Sequence, residues 1–293
     1  MAVISKGTNF PVQLERELFS LVKGHSTLAK LSNAEALPFV GKDIFTFNYS
    51  NEISIVGENA QKPAGDGVVA PVRMAPVKVV YQMRVSDEFM YASEEYQMNV
   101  LASFADGFAK KLGRGLDVMA MHGVDPKSGS TSSIIGNNCF DKTVTANVVS
   151  YDGTDKNIDD ACALVEAGEY ESNGIALSPV MRGALADARG TNGERLYPEF
   201  AFGATPETLG SMALDTNSTV NANSNKDRAI VGDFANCFRW GIAKELPLET
   251  IEFGDPDGQG DLKRNNQIVL RSEAFIGWAI MDESAFAIVK DPN

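Results

Sequence analysis

Histidine, cysteine and tryptophan are scarce in this chain, and positive charge is in deficit. Its 293 residues include 2 histidines, 3 cysteines and 2 tryptophans, with 26 Lys and Arg against 39 Asp and Glu. His25 and His122 stand in different segments with no nucleophile or acid pattern around either, so nothing points to a Ser-His-Asp or Cys-His site. The His and Cys clusters that hold zinc are missing from the sequence. Cys139, Cys162 and Cys237 are far apart, form no Cys-x-x-Cys and are odd in number. That argues against a disulfide framework and for a reducing compartment such as the cytoplasm. No stretch approaches the roughly 20 apolar residues of a membrane-spanning helix. Met1 to Gly7 lack an apolar core before a small-residue cleavage site and do not read as a secretory signal. Without export, the sequon matches at Asn48-Tyr49-Ser50 and Asn217-Ser218-Thr219 read as chance. A net charge of −13 is repelled by nucleic-acid phosphates, which argues against duplex binding as the main task.

What is present is an ordered series of unlike segments without internal repeats. The hydrophobic fraction, 44%, suits a globular protein, and the length suffices for one large or two medium domains. The first segment is a short amphipathic helix. Pro11 suits its first position, Leu14, Leu18, Leu21 and Val22 recur at helical spacing, and Gly24 stops the run. A polar stretch follows to Pro38. Such an arm is expected to lie on a larger body or on a neighbouring chain. Residues 44–56 are rich in β-branched and aromatic side chains, residues 57–71 are turn-rich and polar, and residues 76–85 alternate strictly. This predicts a long two-stranded excursion with a flexible tip. A lone ribbon is marginal in water, so it needs something to lie against, such as another subunit. Between Gly57 and Val85 the charges are Lys62, Arg73, Lys78 and Arg84 against Glu58 and Asp66, a net of +2 in a chain of −13. A solvated loop is the plain reading. The sharper one lays a positive loop over an acidic neighbour, where complementary fields set register. Glu58, Lys62, Arg73, Lys78 and Arg84 are therefore the candidate subunit-interface residues.

A long helix is expected from Ser86, a potential N-cap with Asp87 and Glu88 in the first turn. Phe89, Tyr96, Val100, Phe104, Phe108, Leu112 and Leu116 carry the periodicity to His122-Gly123, a length of roughly 50 Å with a bend or break near Gly113. His122 reads as a partner of the helix dipole. Residues 124–156 look loop-like, with short strand candidates at 133–135 and 144–149. Residues 157–253 read as a compact α/β part. It holds a helix from Asp159 to Glu169, a strand Gly174–Leu177, and a helix capped by Ser178 and opened by Pro179. A polar loop from Asn217 to Asn225 and strands at 229–231, 238–242 and 249–253 complete it. A turn cluster at 254–260 precedes strands at 267–271, 275–280 and 285–289.

Motifs with chemistry fail on context. Gly65-Asp66-Gly67-Val68-Val69-Ala70 matches a dinucleotide string, but that string works between a strand and a helix, and here Pro71 and a strand follow. Asp255 to Asp261 faintly resembles a calcium loop. Asn266 stands where its twelfth position needs Glu, and no helices flank it, so a turn between strands is the better reading. The apolar residues of the long helix read as core. No carboxylate pair stands in a setting that demands acid–base work. No catalytic, cofactor-binding or metal-ligating residue is assigned.

Several stretches, taken in order, carry a resemblance. They are Ile53-Ser54-Ile55-Val56-Gly57-Glu58-Asn59-Ala60-Gln61-Lys62-Pro63, its return strand Pro76-Val77-Lys78-Val79, and the helix entry Val85-Ser86-Asp87-Glu88-Phe89. Later come Ala229-Ile230-Val231-Gly232-Asp233-Phe234, Asn266-Gln267-Ile268-Val269-Leu270-Arg271, and the end through Ala285-Phe286-Ala287-Ile288-Val289. No single motif is specific; the ordered set, spanning nearly the whole chain, resembles the major capsid proteins of tailed double-stranded DNA bacteriophages, with the Hong Kong 97-type fold. The resemblance implies an α+β fold. Its parts would be an N-terminal arm (1–43), an extended β loop (44–85), a peripheral domain with a spine helix (86–156), a central α/β axial domain (157–264) and closing strands of the peripheral domain (265–293).

The resemblance further implies a structural protein without enzymatic activity or cofactor, self-assembling through pentamers and hexamers into an icosahedral shell around the phage DNA. Enclosure suits the acidic charge, because a wall that holds DNA need not grip it. The implied partners are further copies of the chain, a portal protein and, since Pro11 opens the arm helix with no long scaffolding segment before it, a separate scaffolding protein, unless such a segment has been removed from a processed form. No membrane is implied. The implied place is the virion capsid, assembled in the bacterial host cytoplasm. The lysine–asparagine cross-link of some relatives is not carried over, because neither an acceptor for Lys62 nor a catalytic acid can be aligned. Two alternatives stay open: an encapsulin-like compartment shell with protein cargo, and an unrecognised α/β enzyme with a deep pocket in 157–253.

Overall fold

The computed structural model describes residues 22, 24–49, 53–64, 67–222 and 225–292. The arm helix from Pro11 to Leu21, Ser50 of the first sequon and Gly65-Asp66 of the glycine string lie outside them. Helices are α1 (Thr27–Leu31), α2 (Glu94–His122), α3 (Phe140–Thr143), α4 (Lys156–Ala167), α5 (Pro179–Asp187) and α6 (Phe234–Cys237). Strands form three sheets, and the fold is α+β.

β2 (Lys42–Tyr49) and β3 (Gly67–Met74) pair antiparallel as a two-stranded ribbon, Lys42 opposite Met74 and Tyr49 opposite Gly67. The alternation in 76–85 predicts pairing with 44–56, but that strand finds a different partner. β4 (Val77–Ser86) runs along β11 (Gln267–Ile280), from Val77 opposite Ile276 to Ser86 opposite Gln267. Its alternating face meets a strand long enough to match it, and β3 inherits the ribbon. Pro71 has no N–H to donate, and a two-stranded ribbon, with a free edge on each strand, tolerates that.

β1 (Asn33–Ala34), β10 (Phe238–Ile251), β11 and β4 make a four-stranded sheet in that order. The short strands predicted at 238–242, 249–253, 267–271 and 275–280 are two long ones. β10 pairs with β11 from Phe238 opposite Ile280 to Ile251 opposite Val269, with irregularities at Ile242/Lys244 and Leu246/Glu249. An extra residue at such a bulge shifts the period-two pattern, so one strand reads as two. Gly241 lies directly opposite Gly277. A Cβ on Gly241 would run into the Glu35 carbonyl oxygen, and one on Gly277 would fall 2.7 Å from Leu37 and 2.8 Å from the Ala75 oxygen. The facing glycines let residues 35–37 cross the sheet at backbone distance.

The six-stranded sheet has the order β5 (Val148–Ser150), β12 (Phe286–Lys290), β9 (Asp227–Gly232), β6 (Gly174–Leu177), β8 (Met212–Thr216) and β7 (Thr208–Leu209). Both faces are covered. Ile175, Leu177, Val231, Ala287 and Val289 pack with Ile158 and Val165 of α4 and Met181 and Leu185 of α5. Ala176, Ile230, Phe286 and Ile288, one residue out of phase, join the main core. That core also takes Phe108, Leu112 and Leu116 of α2 and Trp240, Ile276 and Trp278 of the four-stranded sheet. The Phe140 ring sits among Phe286, Phe238 and Phe234, at centroid distances of 5.0, 5.6 and 6.1 Å.

Sheet membership cuts across the segment boundaries read from the sequence. β4 leaves the extended loop for the four-stranded sheet, β10 leaves 157–264 for the same sheet, and β12 leaves 265–293 for the six-stranded sheet. Backbone pairing over long separations decides this, and segment composition does not record it. At 133–135 there is a turn instead of a strand, and of 144–149 only 148–149 is strand, in β5.

The long helix starts later than Ser86. Ser86 caps a short 3-10 turn, Asp87–Tyr91, and Ser93 caps α2, its hydroxyl oxygen accepting from the Tyr96 N–H at 3.4 Å. Its 29 residues run unbroken through Gly107, Gly113 and Gly115, a length of about 44 Å. Gly113 serves packing, since a Cβ there would lie 3.1 Å from the Val22 carbonyl oxygen, where the arm crosses. Gly123, left-handed at φ 66, ends the helix with its N–H on the Met119 oxygen.

Candidate assembly interface

The ribbon ends in residues 53–64, all exposed. Ile53 and Ile55 are 97% and 103% accessible. The five charged interface candidates separate into two groups around this tip. Glu58 and Lys62 project from it into solvent. Arg73 instead pairs with Asp43 across the ribbon at 3.4 Å and donates to the Val40 oxygen at 3.1 Å. Lys78 pairs with Glu273 on β11 at 2.7 Å. Arg84 is turned into its own chain. Its guanidinium donates to Asp257 (2.9 Å from Nε), to Asp255 at 3.2 Å, to the Gly260 oxygen at 2.8 Å and to Gln267 at 3.0 Å. The Arg84 hydrogen bond holds Asp257 down to about 2. The acidic turn that faintly resembles a calcium loop thus has an arginine as its cation.

A second exposed apolar surface lies on the 3-10 turn Asp87–Tyr91, the first half of α2 and the strand beside it. Met90, Tyr91, Tyr96 and Met98 are exposed, whereas Phe104, Phe108, Leu112 and Leu116 further along are buried. Tyr81, Met83, Val100 and Phe104 line a shallow groove of about 330 Å³ there. Exposed apolar runs of this kind are characteristic of interaction surfaces.

Two buried polar junctions hold the scaffold behind these surfaces. Asp117 on α2 accepts from Ser26 Oγ at 2.6 Å, the Thr27 and Leu28 N–H groups at 2.9 and 3.2 Å, and Thr219 Oγ1 at 3.0 Å. It therefore caps α1 from another element and ties the arm to the long helix. Burial pushes its carboxyl up to about 6 against those four donors. At the end of α2, His122 does more than meet a helix dipole. Its Nε2 lies 2.9 Å from the Thr219 carbonyl oxygen and its Nδ1 2.9 Å from Asp141 Oδ2. Asp141 and the Thr219 carbonyl are acceptors that suit the imidazolium, and the Asn225 amide nitrogen also lies 2.7 Å from Nδ1. Burial opposes that charge, but the Asp141 hydrogen bond and the charges of Asp141 and Asp227 outweigh it and hold His122 above its usual value.

Lys290 on β12 reaches Asp141 at 2.8 Å and Asp227 at 3.1 Å. Donor atoms of His122, Asp141 and Asp227 lie within 4.8 Å of one another, a spacing that suits a cation, and the Lys290 ammonium is the cation beside them. The group joins α2, α3, β9 and β12 around compensated charge.

A family description, the phage capsid family, matches residues 7–291. The chain belongs to the phage capsid family. A chain from Mycobacterium phage Ogopogo is 34% identical with a TM-score of 0.78, each chain covered over 92% of its length. One from Gordonia phage Cozz is 24% identical with a TM-score of 0.76, over 92% of this chain and 87% of that one. The capsid of a native GTA particle shares the fold at 13% identity, TM-score 0.64, over 100% and 94% of the two chains. No curated protein matches the sequence. This is a major capsid shell protein of a bacteriophage, a structural protein that self-assembles and resides in the virion capsid. Among the described residues no helix is long and apolar enough to cross a membrane.

In this capsid protein the exposed tip was legible as a turn-rich, charged interruption between β-rich runs. Asp117 and the His122 group were not. A lone Asp inside an apolar helix periodicity is the one signal that pointed to Asp117; its partners at 26–28 and 219 are brought to it only by folding.

Proposed function

We propose that this capsid protein has the Hong Kong 97-type fold and that its β2–β3 ribbon lies on an adjacent subunit. The six-stranded sheet with α4 and α5 is the axial part, through which pentamers and hexamers close. The four-stranded sheet and α2 form the peripheral part. The carrying observation is the pair Ile53 and Ile55, fully exposed at the end of a two-stranded ribbon. Burying each such side chain is worth about 1.5–3 kcal/mol, a gain that a lone subunit forgoes and a neighbour supplies. Glu58 and Lys62 flank them as the charged contacts that set register; Arg73, Lys78 and Arg84 stiffen the ribbon base and its adjoining sheet from within. The shell is icosahedral, encloses double-stranded DNA, and forms in the bacterial cytoplasm with a separate scaffolding protein and a portal.

Replacing residues 53–64 by a glycine–serine linker of equal length tests this. The variant subunit should unfold at the wild-type denaturant midpoint yet give no closed shells in sedimentation and negative-stain imaging. Normal shells from that variant would remove the interlocking ribbon from the account.

A further inference from the structure

The second half of α2 exposes Lys110, Lys111 and Arg114. Helical spacing sets 110 and 114 on one face with 111 beside them. They border a cleft of about 720 Å³ whose other walls are His25 and Lys30 of the arm segment and residues 215–218 at the end of β8. Four permanent cations line it against one carboxylate, Asp215. That carboxylate is already engaged, by Lys30 at 2.8 Å and the Thr27 hydroxyl at 2.6 Å. Lys110 and Lys111 have no ion-pair partner among the described residues. Arg114 donates to Ser218 Oγ at 3.3 Å through one nitrogen, which leaves most of its donors to the cleft. In a chain of −13, this is a concentrated positive field.

The lining also says what class of anion fits. No Val, Leu, Ile, Met, Phe, Tyr or Trp borders the cleft among the described residues. A protein partner draws its affinity from apolar and aromatic anchors, and a nucleobase needs a ring to stack on. A phosphodiester needs neither: it is held by Lys and Arg with hydroxyl and amide donors, the set found here with Ser218 and Asn217. We propose that this cleft binds the phosphate backbone of duplex DNA without regard to base sequence. The inference rests on the reading that the shell encloses DNA. It adds a local contact on a wall that otherwise repels the duplex, weak per subunit and multiplied by the number of copies.

The test is fluorescence anisotropy of a labelled short duplex of random sequence against the full-length unassembled subunit, over a salt series. Two or three phosphate contacts predict an affinity that falls with salt at a log–log slope of about −2 to −3. Lys110→Gln with Lys111→Gln should weaken binding about tenfold or more at low salt and reduce that slope by about 2. Both side chains are exposed, so the variant should keep the wild-type unfolding midpoint and still form shells. Lys127→Gln, at an exposed lysine elsewhere, should leave binding unchanged. An equal loss from Lys127→Gln, no loss from the double variant, or competition by poly-glutamate as strong as by unlabelled duplex would each overturn the assignment. Wild-type shells forming while the subunit binds no duplex would overturn the cleft alone. A wild-type chain that forms no shells would overturn the shell reading itself and, with it, the duplex this cleft meets.

Discussion

The six-stranded sheet and the β2–β3 ribbon are built from the same β-branched and aromatic residue types and end in opposite states. β12 buries Phe286 and Ile288 in one core and Ala287 and Val289 in another, all at 0% exposure. The ribbon tip leaves Ile53 and Ile55 in solvent. The long helix repeats the contrast within one element, with Leu112 and Leu116 buried and Tyr96 and Met98 open. What separates the two states is whether the same chain supplies neighbours on every side. One region is complete in the subunit; the other is left open by it.

That contrast can be broken at several points. The largest effect is expected from Phe286→Ala, which removes a ring held against Phe140 and Phe234 at 5.0 and 5.2 Å. It should cost the unassembled subunit about 3–5 kcal/mol in chemical denaturation. A loss under 1 kcal/mol would mean that the sheet is not finished within one chain. Gly277→Ala comes next: the added Cβ meets the Ala75 carbonyl oxygen, a backbone atom that cannot rotate away. About 1–3 kcal/mol is expected, read as a shift in denaturant midpoint.

A smaller effect depends on pH. His122 is held above its ordinary value. Its contribution is therefore full below the unfolded-chain value of about 6.5 and is lost as pH rises through the higher folded value. Asp227, raised to about 7 by burial and by the Asp141 charge, loses stability in the same direction at lower pH and is present in both proteins. Wild type should thus lose stability above neutral pH more steeply than His122→Gln; parallel curves would show that His122 is neutral in the fold. The smallest effect on the subunit belongs to Ile55→Asp, expected within about 0.5 kcal/mol of wild type because the side chain touches solvent only. The same change should abolish closed shells under the microscope. If it unfolded the subunit instead, the tip would belong to the monomer's core.

Much of the fold was legible because local chemistry agreed with the tertiary result. Ser178 and Pro179 open α5 as their cap and N1 roles demand, with Ser178 Oγ accepting from the Met181 N–H at 3.2 Å. Gly174–Leu177 is a strand buried at every residue. The errors sit where two local signals compete. Ser86 and Ser93 both cap, and only the second begins the long helix, because the first is spent on a 3-10 turn. Bulges split the periodicity of β10. Of the five charged candidates, Arg84 could not be told from Lys62 by sequence, since the aspartates that hold it lie more than 170 residues away.

By itself, the order of segments determined a ribbon, a long helix and a mixed α/β body, and so the family. Those features are encoded by near neighbours: periodicity, caps, turns and glycines. Tertiary structure alone decided which sheet each strand joins, that Gly241 and Gly277 stand face to face, and that Asp117 caps a helix near residue 27. Backbone hydrogen bonds and buried charges are satisfied by whatever partner folding brings into reach, and a linear pattern does not name that partner.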